Sequence, residues 1–475
     1  MKLLNTIFNR TTEKKSASAS ELRRGPARIR GRYDAAQTTN ENQKHWAAAD
    51  GFSADMAASP EVRKALRERS RYEVANNSYA RGIVLTLAND TIGTGPRLQM
   101  LTEDACLNRE IENEFSSWSQ SIGLAAKLRT MRMARCQDGE SFAVLADNPS
   151  VGHPVQLDLQ LIEADRVTSE LSFNQSDDEI DGIRLDAFGN PVSYRVLRYH
   201  PGGAALDYQQ KAVIIPASSM IHVFRSDRPE LHRGIPEITP ALGLFAQLRR
   251  FTLAVLTAAE SAANFAGILY TDAPATGEAD AVEPMDLIEL ERNMLLTMPG
   301  GWKMSQLDPK QPATTYAEFK KEILNEIARC LNMPFNVAAG NSSGYNYSSG
   351  RLDHQTYYKA IRIDQAFTAS NVLDRILQSW LLEYSMFRGD RFASLPTHQW
   401  FWDGMEHVDP YKEANAQAAR LKSKTTTLAY EYARQGRDWE EELRQLAREK
   451  KVMTELGLIE IKPKPAQESF QESNT

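Results

Sequence analysis

The chain has 475 residues, enough for roughly three domains of about 150 residues each. Its 42% apolar and 25% charged content is that of ordinary folded protein, and its net charge of −6 excludes a global attraction to nucleic acid. The three cysteines, Cys106, Cys136 and Cys330, are far apart and form no CxxC, which argues against a disulfide framework or zinc module and for structural thiols in a reducing compartment. No secretory signal is visible, and no window reaches the ~18 uncharged apolar residues of a membrane span. A chain made and used in the cytoplasm is expected.

Residues 1–33 carry nine Lys or Arg and two acids, a local +7 in a Ser/Ala/Gly/Pro-rich setting. They read as a mobile basic arm. Contact with nucleic acid or an acidic protein and simple solvation are both open to it. Ser59-Pro60-Glu61 predicts a helix start, running to about Ser78. A second helix, Tyr79–Ile92, stops at Gly93-Thr94-Gly95-Pro96. Thr102 is expected to cap a third, in which Leu107, Ile111, Phe115 and Trp118 make one apolar stripe. Another helix is expected over 124–137.

The period then changes. Val155, Leu157, Leu159 and Leu161 alternate with polar residues, as in a half-buried strand. Phe188-Gly189-Asn190-Pro191 marks a hairpin, and 212–215 and 220–225 read as strands, so 140–226 is a β-rich block. An α-rich segment followed by a β-rich one predicts an α+β fold.

Thr239 and Pro240 open a helix running to Phe265, some 39 Å long at about 1.5 Å per residue. Its only charges are Arg249, Arg250 and Glu260, and its second half is alanine-rich. A helix apolar all round must be buried all round. Packing between subunits of an oligomer and a central core helix of a monomer both satisfy that requirement. Residues 270–313 read as a small separate module around a short helix near Met285–Leu296. A second long helix starts near Thr315 with the stripe Phe319, Ile323, Ile327 and Leu331, and ends before Pro334. Asn336–Gly350, NVAAGNSSGYNYSSG, is uncharged and reads as a loop. Helix is expected over 351–384, a buried strand at Trp400-Phe401-Trp402, and helical hairpins after Asp409-Pro410. Gly436 and Gly457 should act as stops, Asp438 should cap Trp439–Leu456, and the residues from Lys462 should be disordered.

The chemistry of known catalytic motifs is missing from the sequence. There is no GxxxxGK[ST], HExxH or EF-hand loop, and the eight histidines have no metal-ligand spacing. The lone Gly93-Thr94-Gly95 is followed by Pro96, which opposes a nucleotide-binding helix start. Asp353-His354 near Ser348 and Ser349 cannot make a relay, because neighbours on a helix point about 100° apart. Gln137-Asp138-Gly139-Glu140 reads as a helix-to-strand turn. No cofactor, metal or catalytic residue is expected.

The order of parts resembles the lambda-type tailed-phage portal proteins over most of the chain. The matching stretches are Asn77–Gly95 (NSYARGIVLTLANDTIGTG), Asp138-Gly139-Glu140, Ile221-His222-Val223-Phe224 with Arg233-Gly234-Ile235-Pro236, Gly344–Arg351 (GYNYSSGR) and Val408-Asp409-Pro410. The resemblance implies a basic, partly disordered arm over 1–58, a wing over 59–236, a first stem helix over 237–266 and a clip over 267–313. It further implies a second stem helix over 314–333, a tunnel loop over 334–350, a tunnel helix returning to the wing over 351–404, and a helical crown with a disordered tail over 405–475. It implies a ring, normally of twelve copies, at one capsid vertex, assembled in the host bacterial cytoplasm. Double-stranded DNA would pass through its channel. The partners would be the terminase large subunit, which hydrolyses ATP, the major capsid or scaffold protein, and a head–tail adaptor, with no membrane.

Phe245, Leu248, Val255, Ala259 and Ala263 of the first stem helix, with Phe319, Ile323 and Ile327 of the second, are the expected oligomer contacts. Asn341, Ser342, Ser343, Tyr345, Asn346, Tyr347, Ser348 and Arg351 are the expected channel residues. With Arg351 the one basic residue available there, gripping DNA by charge is not favoured. The two tyrosines fit either contact with DNA or packing between adjacent loops. A different capsid or head–tail connector protein is the alternative reading, and a nuclease or packaging ATPase would need motifs the sequence lacks.

Overall fold

The structure is a computed structural model describing residues 39–40, 42–169, 178–203, 212–264, 268–271, 302–305, 316–344, 346–389, 392, 394–404 and 410–458. The chain divides into two compact units, Met1–Ser53 and Ala54–Thr475. In the first, the described residues form a turn in which Thr39 and Asn42 exchange side-chain-to-backbone hydrogen bonds of 2.7 and 3.2 Å. The basic residues 1–33 lie outside the described residues.

The second unit begins with α1 (Ala54–Ala57), α2 (Pro60–Asn76) and α3 (Ser78–Ile92), then β1 (Arg97–Met100), α4 (Ala105–Ser121) and α5 (Leu124–Asp138). Residues 54–58, assigned by the sequence to the arm, are thus part of the body, with Ala54 and Ala58 buried beside Leu231. Ser59 stands at the N-terminus of α2, but its hydroxyl bonds Glu61 and caps no backbone amide. Asp104, not Thr102, caps α4, accepting from the Cys106 and Leu107 amides at 2.8 and 3.1 Å. Thr102 instead bonds the Asn108 side chain.

The β block contains β2 (Glu140–Asp147), β3 (Leu157–Ile162), β4 (Glu179–Ile180), β5 (Ile183–Leu185), β6 (Pro191–Leu197), β7 (Ala212–Pro216) and β8 (Met220–Phe224). An antiparallel sheet of order β3-β2-β8 and another of order β4-β5-β6-β7 share a small core of Phe142, Val167, Tyr194, Val196 and Met220. The hairpin expected at Phe188-Gly189-Asn190-Pro191 joins β5 to β6, with Gly189 at φ +81°.

α6 (Leu242–Asn264) follows a 3-10 turn over Thr239–Ala241. β9 (Ile268–Thr271) and β10 (Trp302–Ser305) pair antiparallel. The helix expected near Met285–Leu296 lies outside the described residues. Next come α7 (Tyr316–Arg329), α8 (Phe335–Ala339), α9 (Tyr347–Thr368), a π-helical segment (Ala369–Leu373) and α10 (Asp374–Arg388). β11 (His398–Phe401) pairs with β1, a strand that four residues with no clear alternation did not announce. α11 (Pro410–Lys422), α12 (Leu428–Arg434) and α13 (Trp439–Glu455) end the described chain. Asp438 caps α13 at 2.7 Å, as its position predicts.

Two larger cores hold these elements. The α4 stripe buries Ile111, Phe115 and Trp118 against β2, β3, β8 and α10; the Trp118 indole donates to the Leu157 carbonyl at 2.8 Å, and Phe115 meets Trp380 edge-on at 5.4 Å. The other core joins Ile83, Val84 and Leu87 of α3 with Phe245 and Leu248 of α6, Ile323, Leu324 and Ile327 of α7, and Tyr357 and Ile361 of α9. The π segment between α9 and α10 inserts an extra residue and shifts the helical face. One continuous rod thereby buries Tyr357 and Ile361 in one core and Ile376, Leu377 and Trp380 in the other.

The two sheets and the first helices are tied by ions. Glu140 and Arg233 are fully buried. Arg233 donates Nε to Glu140 Oε2 at 2.8 Å and Nη2 to Oε1 at 2.6 Å. Its Nη1 reaches the Val167 carbonyl and the Asp181 carboxylate, both at 3.0 Å. Arg63 pairs with Asp181, Arg67 with Asp165 at 3.0 Å, and Arg71 with both Asp138 and Asp165. Burial opposes the charge of Glu140, but Arg233 and the His222 imidazole outweigh it and hold its carboxyl well below the ordinary range. The turns carrying this pair touch backbone to backbone. A Cβ on Gly234 would lie 2.1 Å from the Gly139 carbonyl oxygen, and Gly139 itself sits at φ +93°.

Breaking a buried pair by removing one partner costs about 3–5 kcal/mol, since the other charge stays buried. Glu140→Gln is expected to lose about that much in urea unfolding at neutral pH. The folded pKa of Glu140 lies below its unfolded value, so its contribution is full above the ordinary carboxylate range and is lost as pH falls through the depressed folded value. The gap between wild type and variant should therefore narrow only in strong acid.

Candidate functional site: the half-sheathed helix and the loop before α9

α6 changes environment halfway along. Phe245 and Leu248 are buried against Ile323, Leu324 and Ile327 of α7 within the same chain. Phe251 then stacks on Tyr316 at 5.6 Å and meets Phe319 at 4.7 Å. Beyond it the cover ends: Leu253 is 58% exposed, Leu256 54% and Phe319 49%, with Ala254 and Ala259 also exposed. Four residues expected at oligomer contacts, Phe245, Leu248, Ile323 and Ile327, are thus already satisfied inside the subunit and cannot serve a neighbour. Val255 is half-buried, Ala259 and Phe319 face outward, and the Ala263 side chain lies outside the described residues.

By length and composition alone, Thr239–Glu260 could cross a membrane. Arg249 argues otherwise. It is anchored to Glu73 at 2.9 Å and the Tyr72 hydroxyl at 3.1 Å on α2, and it lies over the Tyr72 ring. Thr239 does not cap the helix, and its hydroxyl is buried without a partner among the described residues.

The uncharged stretch is shorter as a loop than its composition suggests. Phe335–Ala339 forms α8, ended by Gly340 at φ +61°. Asn341, Ser342, Ser343, Gly344 and Asn346 are exposed; the Ser343 amide bonds the Asn341 side chain at 2.9 Å. Tyr345 lies outside the described residues. Tyr347 and Ser348 belong to the first turn of α9, and Arg351, exposed, to its second. The helix starts four residues before Arg351 because serines and a glycine are tolerated in a first turn, where they resemble loop in composition. The base of the loop is closed by a contact of 3.0 Å between Asn336 Nδ2 and His354 Nε2.

His354 also meets the Tyr358 hydroxyl at 3.3 Å. Gly93-Thr94-Gly95 holds the carboxylate of Asp403, which accepts from the Thr94 amide at 2.5 Å and the Thr94 hydroxyl at 2.8 Å. Beside these groups lies a cavity of about 320 Å³, lined by Asp90, His354, Tyr357, Tyr358 and Asp403 among others. Sequence reading missed this grouping. Asp90 was a visible signal as a lone carboxylate on the apolar α3, but its partners come from residues more than 260 positions away.

Residues 39–365, more than half of the chain, match the family described as phage portal protein, lambda family. The chain belongs to that family. It is 26% identical over 434 residues to the probable portal protein of Halomonas phage phiHAP-1, covering 83% of this chain and 81% of that one. Among solved structures it is similar to a chain from the neck of a native gene transfer agent particle computed with C12 symmetry, with 14% identity, 78% of this chain, 90% of that chain and a TM-score of 0.47. It is also similar to an HK97 family phage portal protein from Corynebacterium diphtheriae, with 12% identity, 60% and 84% coverage and a TM-score of 0.29. The protein is therefore a phage portal protein, a structural component of the virion.

Two of the three thiols are fully or partly buried. Burial pushes Cys136 far above the ordinary thiol range and Cys330 up to about 11, whereas Cys106 is exposed. Since the thiolate is the nucleophile, native alkylation at neutral pH should stop at one adduct per chain, on Cys106, and reach three after denaturation. Mass spectrometry of the intact chain checks this.

Proposed function

We propose that this chain assembles into a closed ring, of twelve copies, at one capsid vertex, and that the ring is the channel for DNA packaging and ejection. The observation that carries the reading is the second half of α6. An apolar, alanine-rich surface carrying Leu253 and Leu256 stays exposed among the described residues, beside the half-exposed Phe319 of α7. Burying such surface yields about 25 cal/mol per Å², and the small side chains let a neighbouring helix approach closely. A heterologous contact repeated around an axis closes a ring. Membership of the portal family supports the same reading, as do the uncharged tips at Asn341–Gly344. They offer few phosphate contacts, so DNA can slide past them. The terminase large subunit, the capsid or scaffold protein and a head–tail adaptor are the partners of such a ring.

Wild-type protein should run as large rings in mass photometry, and Leu253→Glu with Leu256→Glu should give folded subunits that do not close. A wild type that stays monomeric over a range of salt, or rings unaffected by both charges, would sink the reading. The loop separates assembly from transport. Replacing 341–346 by a short glycine linker should leave rings intact and reduce packaging or retention of DNA by at least several-fold in a complementation assay. Loss of the ring instead would make the loop an assembly element.

A further inference from the structure

The cavity beside Asp90 is built from three parts of the chain. Asn89, Asp90 and Gly93 come from the end of α3, Val337 from α8 with His354, Tyr357 and Tyr358 from α9, and Asp403 and Gly404 from the segment after β11. Two of the wall residues are aspartates. Asp90 accepts a hydrogen bond of 2.7 Å from the Tyr357 hydroxyl, and no lysine or arginine among the described residues pairs with it. Asp403 is held by Thr94, and its one cationic partner among them is Arg97, at 3.4 Å and 55% exposed. The remaining polar side chains of the wall are the Asn89 amide, the two tyrosine hydroxyls and the His354 imidazole. At ~300 Å³ and above, a cleft reaches the lower range of small-ligand sites. A half-buried carboxylate favours a cationic neighbour, and tyrosine rings attract cations through their faces.

A metal ion fits poorly, since no group of three or more His, Cys, Asp or Glu among the described residues could hold one. An organic cation needs less: one carboxylate, hydroxyl acceptors and an apolar wall for its carbons. We propose that this cavity binds an alkylammonium or guanidinium group, with Asp90 as its counter-ion and Asp403 as a second carboxylate of the wall. The group is either a free short diamine or the side chain of a lysine or arginine from an adjacent copy of the chain.

Burial pushes the Asp90 carboxyl above its ordinary range, against the pull of Tyr357 and His354, so a bound cation would restore its charge. Occupancy would also brace the loop. His354, which closes the base of residues 341–346 through Asn336, stands in the same wall. The ligand would bridge the loop-bearing helix, α3 and the segment that leads to the C-terminal helices.

Isothermal titration of the full-length protein with 1,4-diaminobutane and with methylguanidinium tests this, using butane-1,4-diol and matched sodium chloride as controls. Two variants accompany it. Asp90→Asn removes the counter-ion; Asn89→Lys, at an exposed position on the rim, supplies a tethered ammonium without disturbing the core. Saturable binding of an amine to wild type, weakened on the order of tenfold or more in Asp90→Asn and lost in Asn89→Lys, supports a free amine. Binding only to subunits kept apart by Leu253→Glu and Leu256→Glu, together with weaker assembly of the Asp90 and Asn89 variants, supports the neighbour's side chain. No amine binding in either state overturns the proposal, as does equal binding in wild type and both variants. Should Asp90→Asn fail to fold, Asn89→Lys alone still decides, since a tethered cation must displace the free one.

Discussion

The Glu140–Arg233 pair is the constraint on which the body of the protein depends. One carboxylate at the first residue of β2 meets one guanidinium in the segment after β8, and neither sees solvent. Isolated in a low-dielectric interior, either charge would cost several kcal/mol. Together they can exist only if β2, β8 and the Val167 and Asp181 carbonyl-bearing turns are all in place. The pair is thus satisfied by one arrangement of the two sheets. It draws α2 in as well, because Arg63 shares Asp181 and Arg67 stands 3.7 Å from Glu140. A second cluster, Arg132 and Arg135 with Glu237 and Asp364, ties α5 to the segment before α6 and to α9 in the same way. Hydrophobic burial supplies the bulk of the driving force, while these ions restrict which packing it can choose.

Local periodicity made much of this fold readable. The stripe Ile111, Phe115 and Trp118, the hairpin glycine at 189 and the Asp438 cap are all signals carried by a few adjacent residues, and they stand where they were expected. What could not be read is what distance in sequence conceals. β1 has four residues and acquires its identity from β11, some three hundred positions later. Asp138-Gly139-Glu140 looked like a turn, and is one, but its meaning as half of an ion pair required Arg233. Composition misled in one direction only. Asn336–Gly350 lacks charge and is rich in Gly, Ser and Asn, yet both ends are helix because the flanking helices extend into it.

α6 was legible as a helix and less so as a surface. An all-round apolar pattern shows that every face is covered, but not by what. The structure divides the answer: the first turns of α6 are covered by α7 of the same chain, while Leu253 and Leu256 further along stay exposed among the described residues. Arg249 sits at the changeover, tied to α2, and marks where the subunit's own core ends. Small and aromatic side chains serve both halves, so side-chain chemistry alone could not separate a buried contact from an exposed one.

The π segment at Ala369–Leu373 has one further consequence. A rod that buries different faces at its two ends fixes the angular phase between them. Removing a single residue from that segment would restore a regular helix and rotate α9 against α10 by about 100°. Tyr357 and Ile361 would then point away from their core whenever Trp380 pointed into its own. The orientation of the loop at the head of α9 is therefore indexed to a tryptophan more than thirty residues away, through the twist of the helix.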